Sequence, residues 1–396
     1  MATATFRRIA LGLPVTALLL LFTAVASAAT RLPHAQPEQA GMRAEKLAEI
    51  DGAIDEALVN KQMPGCVVLI ARQGKIVLLK AYGQRSLEPA ETPMTCDTVF
   101  DLASLTKPIA TATSVMLLVE QGRLTLDEPA AKYLPEFGQK GKAAITVRQL
   151  LTHRSGLIAD NPIEDFAAGP DQAIQKIFAA KPPHEPASTF VYADVGFIVL
   201  GELVRRVSGE GVHQFMAQRV FGPLGMSETG YLPPEELRGR AAPTERRNDR
   251  WIQGEVHDPR AYALGGVAGH AGLFSTAEDL AIYAQMLLGR GEYAGVCVLA
   301  PETVDTMLTA QTVPGGGLRT LGWDMKTGYS SNRGEGFSAR AVGHGGFTGT
   351  ALWIDPELEL TVIFLSNRVH PDGKGNVNRL AGRIGTLAAE AILHKP

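Results

Sequence analysis

Ser104 and Lys107 stand three residues apart in the stretch Phe100-Asp101-Leu102-Ala103-Ser104-Leu105-Thr106-Lys107-Pro108. On a helix that spacing puts both side chains on one face, a turn from each other. A serine hydroxyl is a weak nucleophile until a neighbouring base takes its proton. A lysine is that base if burial and nearby cations strip its own proton near neutral pH. The pair is a minimal nucleophile-plus-base unit.

The elements around it must hold that geometry. Residues 109–121 are mostly apolar and Ala-rich at the start, and Gly122 follows. This pattern predicts a buried helix with a glycine at C′. Lys107 is then buried near its start, and Ser104 sits at its N-terminus, where free N–H groups and the dipole favour developing negative charge. Tyr192 enters a second apolar helix, Val195 to Val207, with Asp194 two positions on. His344 lies in Gly343-His344-Gly345-Gly346-Phe347-Thr348-Gly349-Thr350, ahead of a strand (Ala351 to Asp355), a turn and a stronger strand (Leu358 to Ser366). The glycines there would let a substrate backbone approach the strand.

Taken in order, Ser104-x-x-Lys107, Tyr192-x-Asp194 and His344-Gly345-Gly346 resemble the S-x-x-K, Y-x-N and K-T-G or H-x-G elements of the serine β-lactamase and penicillin-binding superfamily, on its class C, D-alanyl-D-alanine carboxypeptidase and esterase side. The likeness runs from about Gln39 to the C-terminus. Pro64 to Gly83 reads as the hairpin expected ahead of the serine, turning at Gln73-Gly74. Leu150 to Leu157 resembles the family's L-L-T-H-x-S-G-L segment, in which His153 is structural. Gly265 to Thr276 resembles an active-site wall, and Ser275 with Glu278 makes a capping box for a helix ending at Gly289. Asp194 departs from the pattern: an ionised carboxylate accepts hydrogen bonds but donates none. It is free to pair with Lys107 or another cation instead.

The resemblance implies an α+β fold of the β-lactamase/transpeptidase type. A sheet lobe from residues about 40–98 and 295–396 carries terminal helices, the last from about Val377 to Leu393. A mostly helical lobe spans about 99–294, and the site lies between the two. By role, Ser104 attacks a carbonyl, Lys107 and Tyr192 share the base role, and His344 polarises or orients the substrate. Backbone N–H groups of Ser104 and Phe347 hold the oxyanion. Asp194, Gly345, Gly346 and His270 contact the substrate. A neutral histidine in place of a lysine weakens carboxylate recognition, which argues against an efficient β-lactamase.

Composition fits this reading. A chain of 396 residues at 45% hydrophobic builds a full core, and the scattered charge, net −3, shows no basic patch for nucleic acid. The histidines include no H-E-x-x-H, so neither metal nor cofactor is expected. Arg7-Arg8, an apolar run from Ile9 to Val25 and Ala26-Ser27-Ala28 read as a secretory signal over residues 1–28, with a mature start at Ala29 and a periplasmic or secreted product. The membrane then matters only during export. Cys66, Cys96 and Cys297 sit in apolar sequence and read as buried free thiols, although an odd count does not say whether two of them pair. The function expected is an exported serine hydrolase of D-amino-acid peptides, peptidoglycan-type substrates included, or small esters. A class C β-lactamase and a catalytically silent penicillin-binding sensor are the alternatives.

Overall fold

The computed structural model describes residues 1–2 and 31–393. The expected leader, beyond its first two residues, lies outside them. After helix α1 (Ala44–Val59) the chain enters strands β1 (Gly65–Arg72), β2 (Lys75–Ser86) and the short β3 (Thr92–Pro93). The β1–β2 hairpin turns where the sequence puts Gln73-Gly74, at φ 51° and 72°. A long insertion follows, with helices α2 (Thr113–Glu120), α3 (Asp194–Ser208) and α4 (Ala277–Leu288). The chain then returns through β4 (Gln311–Val313), β5 (Gly317–Arg319), β6 (Asp324–Lys326), β7 (Val342–Gly346), β8 (Thr350–Asp355) and β9 (Leu360–Ser366), and closes with α5 (Asn378–Glu390). The strands form one nine-stranded sheet in the order β4-β5-β6-β7-β8-β9-β1-β2-β3. This is the β-lactamase/transpeptidase-like α+β fold.

The sheet is covered on both faces, which is why its central strands read as unbroken apolar runs. In β1, Val67, Leu69 and Ala71 join the core shared with the inserted helices, whereas Cys66, Val68 and Ile70 join a second core with α1 and α5. The period of two does the sorting. Each fully buried Val, Ile or Leu contributes roughly 1.5–3 kcal/mol.

Three local readings change. The helix expected from residue 109 opens with a 3-10 turn at Ala103–Leu105 and a wide π-helical turn at Lys107–Ala112 before α2 begins. Pro108 has no N–H to continue a regular ladder, and its carbonyl accepts from the Thr113 hydroxyl at 3.2 Å. Gly122 does close the helix, at φ 67°. Thr276, not Ser275, caps α4, accepting from the Asp279 N–H. The Ser275 hydroxyl is instead buried against Thr229 at 2.7 Å. Of the three free cysteines only Cys66 is buried; Cys96 is half-buried and Cys297 is exposed.

Candidate active site

The nucleophile turn is pinned from below. Asp101 accepts from the Ala103 N–H at 2.8 Å and, through its other oxygen, from the His257 N–H at 2.7 Å. The Asp101 and Leu102 carbonyls accept from the Thr348 and Thr350 hydroxyls at 2.7 and 3.0 Å. Ala103 is thereby held at φ 46°, a left-handed conformation that non-glycine residues rarely adopt. Such strain persists where surrounding contacts over-determine it, and it concentrates at functional sites.

Above this turn lies a cleft of about 650 Å³, lined among others by Ser104, Tyr192, His270, Arg319, His344 and Phe347. Lys107 is wholly buried. Its Nζ donates to Ser104 Oγ at 2.8 Å and to the His270 carbonyl at 3.1 Å, and forms an ion pair with Asp194 Oδ1 at 2.7 Å. Burial alone would push the ammonium pKa down, but the Asp194 carboxylate and Tyr192 outweigh it and hold the pKa above its ordinary value. The expected neutral amine is therefore a lysinium ion here. The pairing of Asp194 with Lys107, left open by the sequence, is realised.

Tyr192 lies in a stack of rings, 4.5 Å from His153 on one side and 4.9 Å from Tyr329 on another. His153 is buried, and its Nδ1 accepts from the Ala193 N–H at 3.0 Å, which supports the structural reading given to it. Burial raises the Tyr192 phenol pKa, although the Lys107 charge opposes it. The phenol is thus protonated at neutral pH, and Ser104 and Lys107 lie against its oxygen.

His344 projects from β7 on the same face as its cross-strand partner Leu352. β7 is an interior strand, yet β6 pairs with it only at Asp324↔Gly343, so the stretch from His344 to Gly346 faces the cleft without a strand beyond it. Gly345 and Gly346 line the cleft, and all three glycines are also required by the protein's own packing. A Cβ on Gly343 would fall inside the Trp353 ring. One on Gly345 would strike Asn332, and one on Gly346 would strike the Leu102 carbonyl and the Thr350 hydroxyl.

His270 lines the cleft chiefly through its backbone. Its ring is buried and its Nε2 is paired with Asp258 at 2.9 Å; what it offers the site is its carbonyl, to Lys107. Among the described residues Asp194, Asp258 and His270 are the group spaced for a cation, with donor atoms within 4.8 Å of one another. The Lys107 ammonium already supplies positive charge to Asp194.

Arg319, on β5, escaped the sequence reading. It is fully buried, its Nη1 lies 3.5 Å from Asp324, and its Nε and Nη1 make no hydrogen bond. Nothing local in Gly317-Leu318-Arg319-Thr320 marks it, because the strand order alone brings it beside the cleft. Asp258-Pro259 did carry a readable signal, an acidic N-cap before a proline at N1, and Asp258 does cap Pro259–Ala263.

A serine, a lysine and a tyrosine converge between a helical insertion and a mixed-origin sheet, with a histidine on the adjoining strand: this is the architecture of a serine hydrolase. The β-lactamase family model matches residues 50–386. A protein of Escherichia coli (strain K12) named as a D-alanyl-D-alanine carboxypeptidase is 31% identical over 378 residues, 86% of each chain. Among solved structures, a class C β-lactamase superposes with a TM-score of 0.73 at 18% identity, covering 89% of this chain and 98% of its own. A family VIII carboxylesterase does so with a TM-score of 0.67 at 21% identity, over 89% and 98%. The chain belongs to the β-lactamase family of serine hydrolases.

Proposed function

We propose that this protein is an exported acyl-enzyme hydrolase of D-amino-acid peptides ending in a free carboxylate, with small esters as secondary substrates. The observation that carries this reading is Arg319. A buried guanidinium beside His344, ion-paired through Nη1 with Asp324 at 3.5 Å and with no hydrogen bond at Nε, supplies the fixed positive charge that a neutral histidine lacks. It removes the argument against carboxylate recognition drawn from His344 alone. The 31% identity to a relative named as a D-alanyl-D-alanine carboxypeptidase supports the same substrate class.

In this mechanism Ser104 Oγ attacks the penultimate carbonyl while its proton passes to the Lys107–Tyr192 pair, which hands one of its own protons to the departing amine. The Lys107 ammonium stabilises the forming alkoxide, and the Ser104 and Phe347 N–H groups receive the oxyanion, each such donor being worth about 2.7–4 kcal/mol. The C-terminal D-amino acid leaves with its carboxylate toward Arg319, and water releases the acyl group. Peptidoglycan stem peptides carry the required chemistry. No metal, cofactor or nucleic acid enters.

The test sets a D-Ala-D-Ala peptide, p-nitrophenyl butyrate and nitrocefin against the wild type, Ser104→Ala and Arg319→Met. D-Ala release that disappears in Ser104→Ala, and falls in Arg319→Met much more than ester hydrolysis does, is the expected result. Efficient nitrocefin turnover with no peptide cleavage would favour a β-lactamase. Absence of any acyl-enzyme would favour a silent binding protein.

A further inference from the structure

The Phe347 N–H, the expected second oxyanion donor, belongs to a turn between β7 and β8. The Gly349 N–H donates to the Gly346 carbonyl at 3.0 Å, and Gly349 closes the turn at φ 105°. As the second residue of this turn, Phe347 keeps its own N–H outside it. A trans peptide sets its N–H opposite to its C=O. The Gly346 carbonyl points into the turn, so the Phe347 N–H points out of it. The turn abuts the nucleophile: a Cβ on Gly346 would lie 2.4 Å from the Leu102 carbonyl oxygen. Gly346 and Phe347 line the cleft together with Ser104.

Arg368, two residues beyond β9, grips that turn. Its Nε donates to the Phe347 carbonyl at 2.7 Å, and its Nη1 to the Gly375 and Gly373 carbonyls at 2.9 and 3.4 Å. Its guanidinium carbon lies 4.2 Å from the centre of the Phe347 ring. A Cβ on Gly349 would come within 2.5 Å of the arginine stem, so the missing side chain is what lets Arg368 pass. The Phe347 ring also stacks on His257, with centroids 5.5 Å apart at 21°. The His257 N–H donates to Asp101, which holds the Ala103 N–H as well. Contacts therefore run without a break from Arg368 through Phe347, His257 and Asp101 to the turn of Ser104. Both oxyanion donors hang on one frame.

We infer, resting on the reading of Ser104 as the acylated nucleophile, that Arg368 is a positioning residue: it clamps the Gly346–Gly349 turn to the loop at 373–375 and so fixes the direction of the Phe347 N–H. A donor held in place needs no reorganisation as charge gathers on the substrate oxygen. Arg368 acts through the turn and not on the substrate, since chain carbonyls already engage its Nε and Nη1. Arg319 differs, because its Nε makes no hydrogen bond. A lysine could not replace the clamp, having a single ammonium where the planar fork reaches two carbonyl groups at once.

The experiment reads acylation as the pre-steady-state burst of p-nitrophenol from p-nitrophenyl butyrate, whose saturation separates the acylation rate from ester affinity. Phenylboronic acid is the second probe, because its anionic tetrahedral adduct on a serine places an oxygen where the oxyanion forms. Misplacement of a catalytic group by about 1 Å costs about 10²-fold. Arg368→Ala should therefore lose about 10–10²-fold in acylation rate and a similar factor in boronate affinity, with ester affinity within about threefold of wild type. Guanidinium at sub-denaturing concentration should restore part of both losses, and Arg368→Lys should fall between the two proteins. Three results would overturn the inference. Weaker ester affinity at an unchanged acylation rate would make Arg368 a substrate contact. Slower acylation with boronate affinity intact would place its effect outside the oxyanion site. A loss that tracks a lower unfolding midpoint, with no recovery in guanidinium, would make it a packing residue alone. If mass spectrometry finds no acyl group on Ser104 of the wild type, the nucleophile reading itself fails, a result distinct from all three.

Discussion

Asp194→Asn restores the residue that the Y-x-N pattern leads one to expect, and its effect follows from one ion pair. Asp194 Oδ1 lies 2.7 Å from Lys107 Nζ; the lysine side chain is wholly buried and that of Asp194 is 19% exposed. With the charge centres about 4 Å apart and an effective dielectric near 20, the attraction is about 4 kcal/mol. At roughly 1.36 kcal/mol per pH unit, that is ~3 units in the lysine titration. The asparagine amide keeps the shape and removes the charge, so burial becomes the dominant influence and pushes the ammonium pKa down. The sign is fixed by the wild type. Lys107 has a raised pKa when folded, so its contribution to stability is complete below the unfolded value of about 10.4 and is lost only as pH climbs through the higher folded value. If the ammonium stabilises the Ser104 alkoxide, wild-type acylation should persist past pH 10. The variant should lose acylation along an alkaline limb lying about three pH units lower. The assay is the ester burst rate from pH 5 to 10.5 in both proteins. Coincident alkaline limbs would show that Asp194 does not hold the proton. A rate that rises as Lys107 loses its proton would make the free amine the base and refute the ammonium role.

Other outcomes follow from packing and burial elsewhere. Burial raises the Asp279 pKa to about 6, so this carboxyl stabilises the fold below its unfolded value and withdraws that contribution as pH rises through 6. Over that window the wild type should lose about 3 kcal/mol relative to Asp279→Asn, and parallel denaturation profiles from pH 4 to 7 would rule it out. Gly343→Ala places a methyl group in the Trp353 ring on a strand paired on both sides. It should cost 1–3 kcal/mol or more, as overpacking of about one methyl does; a change below about 0.5 kcal/mol in urea denaturation would show that the strand yields. For export, mass spectrometry of secreted protein should give an N-terminus near Ala29, and an intact leader on membrane-bound protein would count against cleavage.

The site was legible in the sequence as far as short-range spacing and chain order reach. Ser104, Lys107, Tyr192 and His344 do meet in one cleft, because each rides on an element whose own apolar pattern is strong. Lys107 was misread in charge because protonation depends on what faces it, and the facing carboxylate arrives on α3 from 87 residues away. Arg319 and Asp101 were invisible for the same reason: a buried charge declares itself only through partners that the sheet order brings together. The glycines of β7 stand out in the sequence, but that Trp353, Asn332 and Leu102 crowd them is not legible there, since sequence does not tell whose atoms fill the space a missing Cβ leaves. The cap of α4 slipped by one residue because Ser275 and Thr276 satisfy the same motif, and only burial of Ser275 beside Thr229 separates them.

The pairing at the middle of the sheet sets a schedule for the chain. β1 is joined along its length to β9, Cys66 opposite Ser366, three hundred residues later. Both cores use that seam, and α1 must wait for α5 to close over it. Contacts so distant along the chain make for slow folding, since loop closure is opposed by entropy until the last strand arrives. The Ser104 turn is itself pinned by Thr348 and Thr350 from the late hairpin. A nascent chain carrying every residue of the helical insertion therefore still lacks a formed nucleophile turn. Formation of that turn is deferred until the β7–β8 hairpin is made, and a chain that stops short of that hairpin has Ser104 without the threonines that pin it.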